Sequence, residues 1–148
     1  HDRNEPRCSM QTPVVASSTS IGCGESKDVA ESCGGYLTVL QYKEREHFMY
    51  HYDSGGIHRR MATMLYYLTD VLKGGGTQFP FARTTMGLDG KGKSLGLSVK
   101  PQQGMAVLFY NYLPSGKPDI DAVHAGMDVI DGEKWAANQW VTVDELLP

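Results

Sequence analysis

HFMYHYDSGG, residues 47–56, reads as a β-strand that runs into a turn. Aromatic and other strand-favouring side chains fill its first part, and Ser54-Gly55-Gly56 supplies turn residues directly afterwards. Alternation along a strand sends His51 and Asp53 to one face and Tyr52 to the other. An imidazole and a carboxylate are thereby offered side by side, suited to two adjacent corners of a metal's coordination sphere. His-x-Asp triplets also arise as plain hydrogen-bonded pairs, so this one takes its meaning from its surroundings. His47 shares the parity but sits at the far end of the run, and His58 falls in the turn region.

The same texture recurs through the rest of the chain. Strand-like runs are expected at Tyr36–Tyr42, His47–Asp53, Arg60–Thr69, Thr77–Phe81, Leu95–Val99, Met105–Tyr112, Ala122–Val129 and Lys134–Val143. Gly74-Gly75-Gly76, Pro101-Gln102-Gln103-Gly104, Pro114-Ser115-Gly116 and Asp131-Gly132 punctuate them. Short strands spaced by such turns imply a mainly β sandwich, barrel or jelly roll. No stretch sustains the 3.6-residue period of a long amphipathic helix. Residues 1–35 are rich in Ser, Thr, Gly and Pro, and are expected to be a loop-rich, truncated lead-in with an edge strand near Thr12–Ala16. A single helical turn is expected over Val143–Leu147.

With 148 residues, 41% hydrophobic and 21% charged, the chain has the composition of one globular domain. Its formal net charge of -3 argues against generic nucleic-acid binding, which needs a cationic surface. No apolar stretch is long enough to span a bilayer, and no apolar targeting segment follows His1. Cys8, Cys23 and Cys33 match no zinc-site spacing; a Cys23–Cys33 disulfide and free thiols both stay open.

GLDGKGKS, residues 87–94, satisfies the phosphate-loop pattern letter for letter. That loop works only between a buried strand and a helix N-terminus. Here Phe81–Met86 is too polar for the strand, and Leu95-Gly96-Leu97-Ser98-Val99-Lys100-Pro101 carries β-favouring residues and a proline where the helix should run. The stretch is therefore expected to be a connecting loop, with Lys91 and Lys93 as solvated charges and no nucleotide bound.

A facial triad needs a second imidazole from a distant strand, leaving open positions on the metal. His124, in Asp121-Ala122-Val123-His124-Ala125-Gly126, is the candidate. Lys134 then opens the run to Trp140; composition alone would make it a solvated edge residue.

Taken together, these motifs resemble the catalytic domain of prolyl 4-hydroxylases, Fe(II)- and 2-oxoglutarate-dependent dioxygenases. The resemblance covers Tyr36 to Val143. It is carried by Leu40-Gln41-Tyr42, His51-Tyr52-Asp53, Arg60 to Asp70, Gly74 to Pro80, Lys100-Pro101 with Gly104, His124, Gly132-Glu133-Lys134-Trp135 and Trp140. It implies a double-stranded β-helix, or jelly-roll, cupin-like core over residues 36–148. It further implies that His51, Asp53 and His124 hold iron, and that Lys134 binds the distal carboxylate of 2-oxoglutarate with Thr77 and Tyr42. Arg60 and Trp140 match positions lining the peptide side of the site. Dioxygen as co-substrate, ascorbate as reductant and a proline-containing peptide or protein as substrate follow from the same resemblance, with a lean towards the endoplasmic reticulum lumen. Between Asp53 and Arg60 the chain is shorter than in family members that clamp an extended peptide, and residues 1–35 are unlike the family's front. A free amino acid, another side chain, or a binding module without turnover are the competing readings.

Overall fold

The computed structural model describes residues 14–15, 37–55, 59–82 and 96–143. The cysteines, His58, the GLDGKGKS stretch and residues 144–147 of the expected helical turn lie outside them. The strands are β1 (Val14–Val15), β2 (Thr38–Tyr42), β3 (Phe48–His51), β4 (Arg59–Tyr67), β5 (Lys73–Gly74), β6 (Thr77–Phe79), β7 (Leu97–Val99), β8 (Ala106–Tyr110), β9 (His124–Gly126), β10 (Val129–Asp131) and β11 (Lys134–Val143). A single 3-10 turn spans Ile120–Ala122.

Two antiparallel sheets make up the jelly roll. One has the order β1-β2-β11-β4-β8 and the other β3-β9-β6-β7, while β10 and β5 form a two-stranded ribbon. The long strand β11 is central in the larger sheet. It pairs with β2 from Lys134↔Tyr42 to Asn138↔Thr38, and with β4 from Ala136↔Tyr67 through Trp140↔Thr63. Side chains alternate across the pleat, so Lys134, Ala136, Asn138 and Trp140 share the inner face with Thr63, Leu65 and Tyr67 of β4.

Leu65, Tyr67 and Ala136 form a buried core, packed against Val99, Met105, Val107 and Phe109. Phe79 from the smaller sheet meets Phe109 from the larger edge to face at 5.2 Å. Beside that core, with Leu65 and Ala136 in its wall, lies a cavity of about 270 Å³.

The run expected as one strand over Ala122–Val129 is broken. Asp119 caps a 3-10 turn, its side chain accepting a hydrogen bond from the Asp121 N–H at 3.0 Å. The chain then pairs as β9 with β3 and β6, and leaves that sheet to pair with β5 as β10. At the change of partner, Gly74 has φ +78, and a Cβ there would lie 2.3 Å from the Asp128 carbonyl oxygen. Only glycine permits so close an approach between the two backbones.

Candidate active site

Strand pairing brings the two imidazoles together. His51 ends β3 and stands opposite His124 at the start of β9, with ring centroids 4.3 Å apart. Each Nδ1 meets a backbone carbonyl two residues back, Met49 at 2.8 Å and Ala122 at 3.0 Å. That carbonyl accepts, so Nδ1 carries the proton and the Nε2 lone pair faces the cavity.

Asp53 arrives differently from the sequence expectation. It lies in the turn beyond β3, so hydrogen bonds rather than the pleat aim its side chain. The Thr63 hydroxyl donates to Oδ2 at 2.7 Å and the Trp140 indole N–H at 3.2 Å. Its other oxygen, Oδ1, faces His51 Nε2 at 3.5 Å. Burial alone would raise this carboxyl, but the neighbouring His51 and His124 imidazoles and the Thr63 and Trp140 donors outweigh it and hold it at about 2. His124 moves down, chiefly through burial, opposed in part by its backbone bond and Asp53.

One donor atom from each of His51, Asp53 and His124 lies within 4.8 Å of the others. With both Nδ1 atoms protonated, lone pairs from three ligands converge on one point. Two neutral nitrogens and an anionic oxygen so arranged fit a divalent first-row cation, whose charge relieves the convergence. A hydrogen-bonded His–Asp pair alone would leave the second imidazole unexplained.

At the other end of the cavity stands Lys134, first residue of β11. Only 3% of it is exposed, against the solvated edge position that composition suggests. Burial pushes its ammonium down to about 8. Nζ lies 5.4 Å from the Tyr42 ring centroid and 5.6 Å from that of Tyr67, and among the described residues no carboxylate pairs with it. A buried cation without a counter-ion is costly, and a carboxylate entering the cavity would offset that cost.

Thr77 is 2% exposed and accepts a hydrogen bond from the Tyr67 hydroxyl at 2.8 Å, so its own proton is free to be donated elsewhere. Tyr42 is pushed up to about 12 by burial, then by Asp53 and Glu46, and stays a neutral phenol. Tyr42, Thr77 and Lys134 line the same cavity as the His51, Asp53 and His124 cluster.

Arg60 and Trp140 line it too, the guanidinium 3.9 Å from the indole ring centroid. The eight residues singled out in the sequence thus share one cavity. His47 does not join them; its Nδ1 meets Asp128 Oδ1 at 2.9 Å. Tyr52, expected on the opposite face, lines the cavity because the chain turns after His51. Thr63 and Tyr67 lie within the strand expected at Arg60–Thr69 and were not singled out as site residues. Their inward parity on β4 was the signal, since a hydroxyl facing the core needs a partner.

A family model described as the 2OG-Fe(II) oxygenase superfamily matches residues 37–142. The chain is 40% identical over 126 residues to probable prolyl 4-hydroxylase 4 of Arabidopsis thaliana, covering 75% of this chain and 42% of the relative. Prolyl 4-hydroxylase 2 of the same plant matches at 40% over 126 residues with the same coverage. Among solved structures, the viral collagen prolyl hydroxylase of Paramecium Bursaria Chlorella virus-1, in its 2OG complex, superimposes with a TM-score of 0.60 at 28% identity. That match covers 74% of this chain and 59% of the viral one. The chain spans less than half the length of these two plant relatives.

Proposed function

Because the chain belongs to the 2OG-Fe(II) oxygenase superfamily, we propose that it hydroxylates proline residues in a peptide or protein, using Fe(II), 2-oxoglutarate and dioxygen. The observation that carries this reading is the pairing, in one cavity, of a three-donor metal cluster with a buried cation that has no carboxylate partner among the described residues. Proline as the target is supported by the names of the relatives.

In this reading His51, Asp53 and His124 hold the iron through two Nε2 atoms and one carboxylate oxygen. Lys134 receives the distal carboxylate of 2-oxoglutarate, and the hydroxyls of Thr77 and Tyr42 fix its orientation. An ammonium is a compact point charge, so neighbouring hydroxyls supply the directionality that a guanidinium fork would carry itself. Iron held there would supply, with 2-oxoglutarate and dioxygen, an oxidation in which 2-oxoglutarate gives succinate and carbon dioxide, one oxygen atom going to succinate and the other to a substrate C–H bond, with ascorbate as reductant. The chain's own share is to bind, orient and keep dry. Leu65 and Ala136 wall the cavity on the apolar side. Tyr52, Arg60 and Trp140 offer an aromatic and cationic surface on which a peptide backbone and a proline ring can rest.

The test is succinate release from 2-oxoglutarate with Fe(II), ascorbate and a proline-rich peptide. Peptide-stimulated turnover with hydroxyproline in the product is the expected outcome. Decarboxylation without peptide stimulation would remove proline as the target and leave the chemistry for another substrate. Absence of any 2-oxoglutarate consumption by iron-loaded protein would favour a binding module.

A further inference from the structure

A buried chain of hydrogen bonds leads away from the cavity. Asn111 follows β8 and is 1% exposed, as is Thr63. The Asn111 Nδ2 donates to the Arg60 carbonyl at 3.0 Å and to Thr63 Oγ1 at 2.9 Å. This fixes the amide's orientation, because turning it over would set two oxygens against each other. Thr63 has a single hydroxyl proton, and with its oxygen accepting from Asn111 that proton goes to Asp53 Oδ2. The chain runs one way, from amide to hydroxyl to carboxylate.

Asn111 is itself held hard. Its N–H donates to the Met61 carbonyl at 2.9 Å, and its own carbonyl accepts from the Asp119 N–H at 3.0 Å. The next residue, Tyr112, donates its hydroxyl to the Ser54 carbonyl at 2.7 Å, gripping the turn that carries Asp53. The Asn111 Oδ1 is buried with no hydrogen-bond partner among the described residues. A side chain kept only to fill space would not retain an orphaned acceptor; one kept for its N–H groups would.

We propose that Asn111 is a positioning residue for the metal-binding carboxylate, acting through Thr63 to occupy Asp53 Oδ2 and present Oδ1 alone to the metal. The inference rests on the His51, Asp53 and His124 reading above. Trp140 also donates to Oδ2, but it stacks on Arg60 at the cavity wall; the Asn111 route is independent of that side.

The test measures Mn(II) affinity of the ligand-free protein by calorimetry, with the visible spectrum of the Co(II) form as a second readout. Thr63→Val should lose about tenfold to a hundredfold in Mn(II) affinity, the range for removing a partner that orients a ligand. It should also shift the Co(II) bands. Thr63→Ser, which keeps the hydroxyl, should restore both. Asn111→Leu should weaken Mn(II) less than Thr63→Val does, and should add nothing in the Thr63→Val background. If Asn111→Leu does not fold, Asn111→Ser removes the amide without apolar bulk and takes its place in the cycle. Thr63→Val binding Mn(II) within twofold of the parent overturns the proposal. So does an Asn111 effect that persists undiminished without the Thr63 hydroxyl. A parent protein that binds no Mn(II) would sink the metal-site reading and this inference with it, whereas a parent whose affinity collapses in Asp53→Ala alone preserves the first and removes the second.

Discussion

The two ends of the cavity solve opposite electrostatic problems. At the His51, Asp53 and His124 end, side-chain atoms that do not face the common point are already bonded: two Nδ1 atoms to carbonyls, and Oδ2 to a hydroxyl and an indole. At the Lys134 end a nearly sealed ammonium has the Tyr42 and Tyr67 rings near it and, among the described residues, no carboxylate partner. The first end is assembled before any ligand arrives and loses little freedom when one does. The second holds a penalty that a ligand's charge relieves. A site of this kind binds its two charged components for different reasons, one through prior order and the other through relief of desolvation.

The largest expected effect lies at the ordered end. Asp53→Ala should reduce Mn(II) or Fe(II) affinity by at least about a hundredfold, exceeding the loss of an orienting partner, and should abolish 2-oxoglutarate turnover. Calorimetric titration is the check; retained affinity would mean that the donors do not act together. At the other end the contrast should invert. Lys134→Met removes a buried charge and should stabilise the ligand-free protein by about 1–3 kcal/mol in thermal or urea unfolding. The same variant should lose the stabilisation that 2-oxoglutarate gives the parent, and its apparent KM for 2-oxoglutarate should rise by roughly a hundredfold, about 2.7 kcal/mol. A less stable variant with unchanged KM would show that Lys134 is not an unpaired charge waiting for a partner.

Acidity separates the two ends further. Folding takes the Lys134 ammonium from 10.5 to about 8, so between those values the unfolded chain binds more protons than the folded one. This group should therefore make the ligand-free protein more stable as pH rises from 8 to 10.5, an increment absent in Lys134→Met. If the protonated form receives 2-oxoglutarate as proposed, binding should weaken across the same window. The smallest effect is expected for Tyr67→Phe, which leaves Thr77 without its donor. A cost of about 1 kcal/mol and a severalfold rise in KM for 2-oxoglutarate should follow, with metal affinity unchanged.

The legible parts of the fold were those written in local chemistry. β11 runs from Lys134 to Val143, as the Asp131-Gly132 turn before it and its Trp, Val and Thr residues imply. The ribbon of β5 and β10 was not legible, because strands of two and three residues carry no period and exist through each other. The break before His124 depends on the Asp119 cap and on which strand each segment joins, and the second of these is decided by the rest of the molecule. The same division holds at the site. His51, Asp53, His124 and Lys134 stand out because such residue types at such spacings are rare in combination. Thr63 and Asn111 are ordinary letters whose meaning comes from a hydrogen bond between positions far apart in the chain. His58 and the phosphate-loop match lie beyond the described residues and carry no weight in either direction.

The cross-strand pair of His51 with His124 makes strand registration a condition of chemistry. Sliding β3 against β9 by one residue would turn one imidazole to the outer face of the sheet and leave two donors where three converge. The ladder between these strands is short and already carries an irregularity between Phe48 and His51, so backbone pairing alone discriminates weakly between the correct alignment and its neighbours. An ion that demands all three donors rewards only the correct one. Metal uptake would then act as a proofreading step in folding, selecting the alignment that the sheet by itself leaves loosely specified.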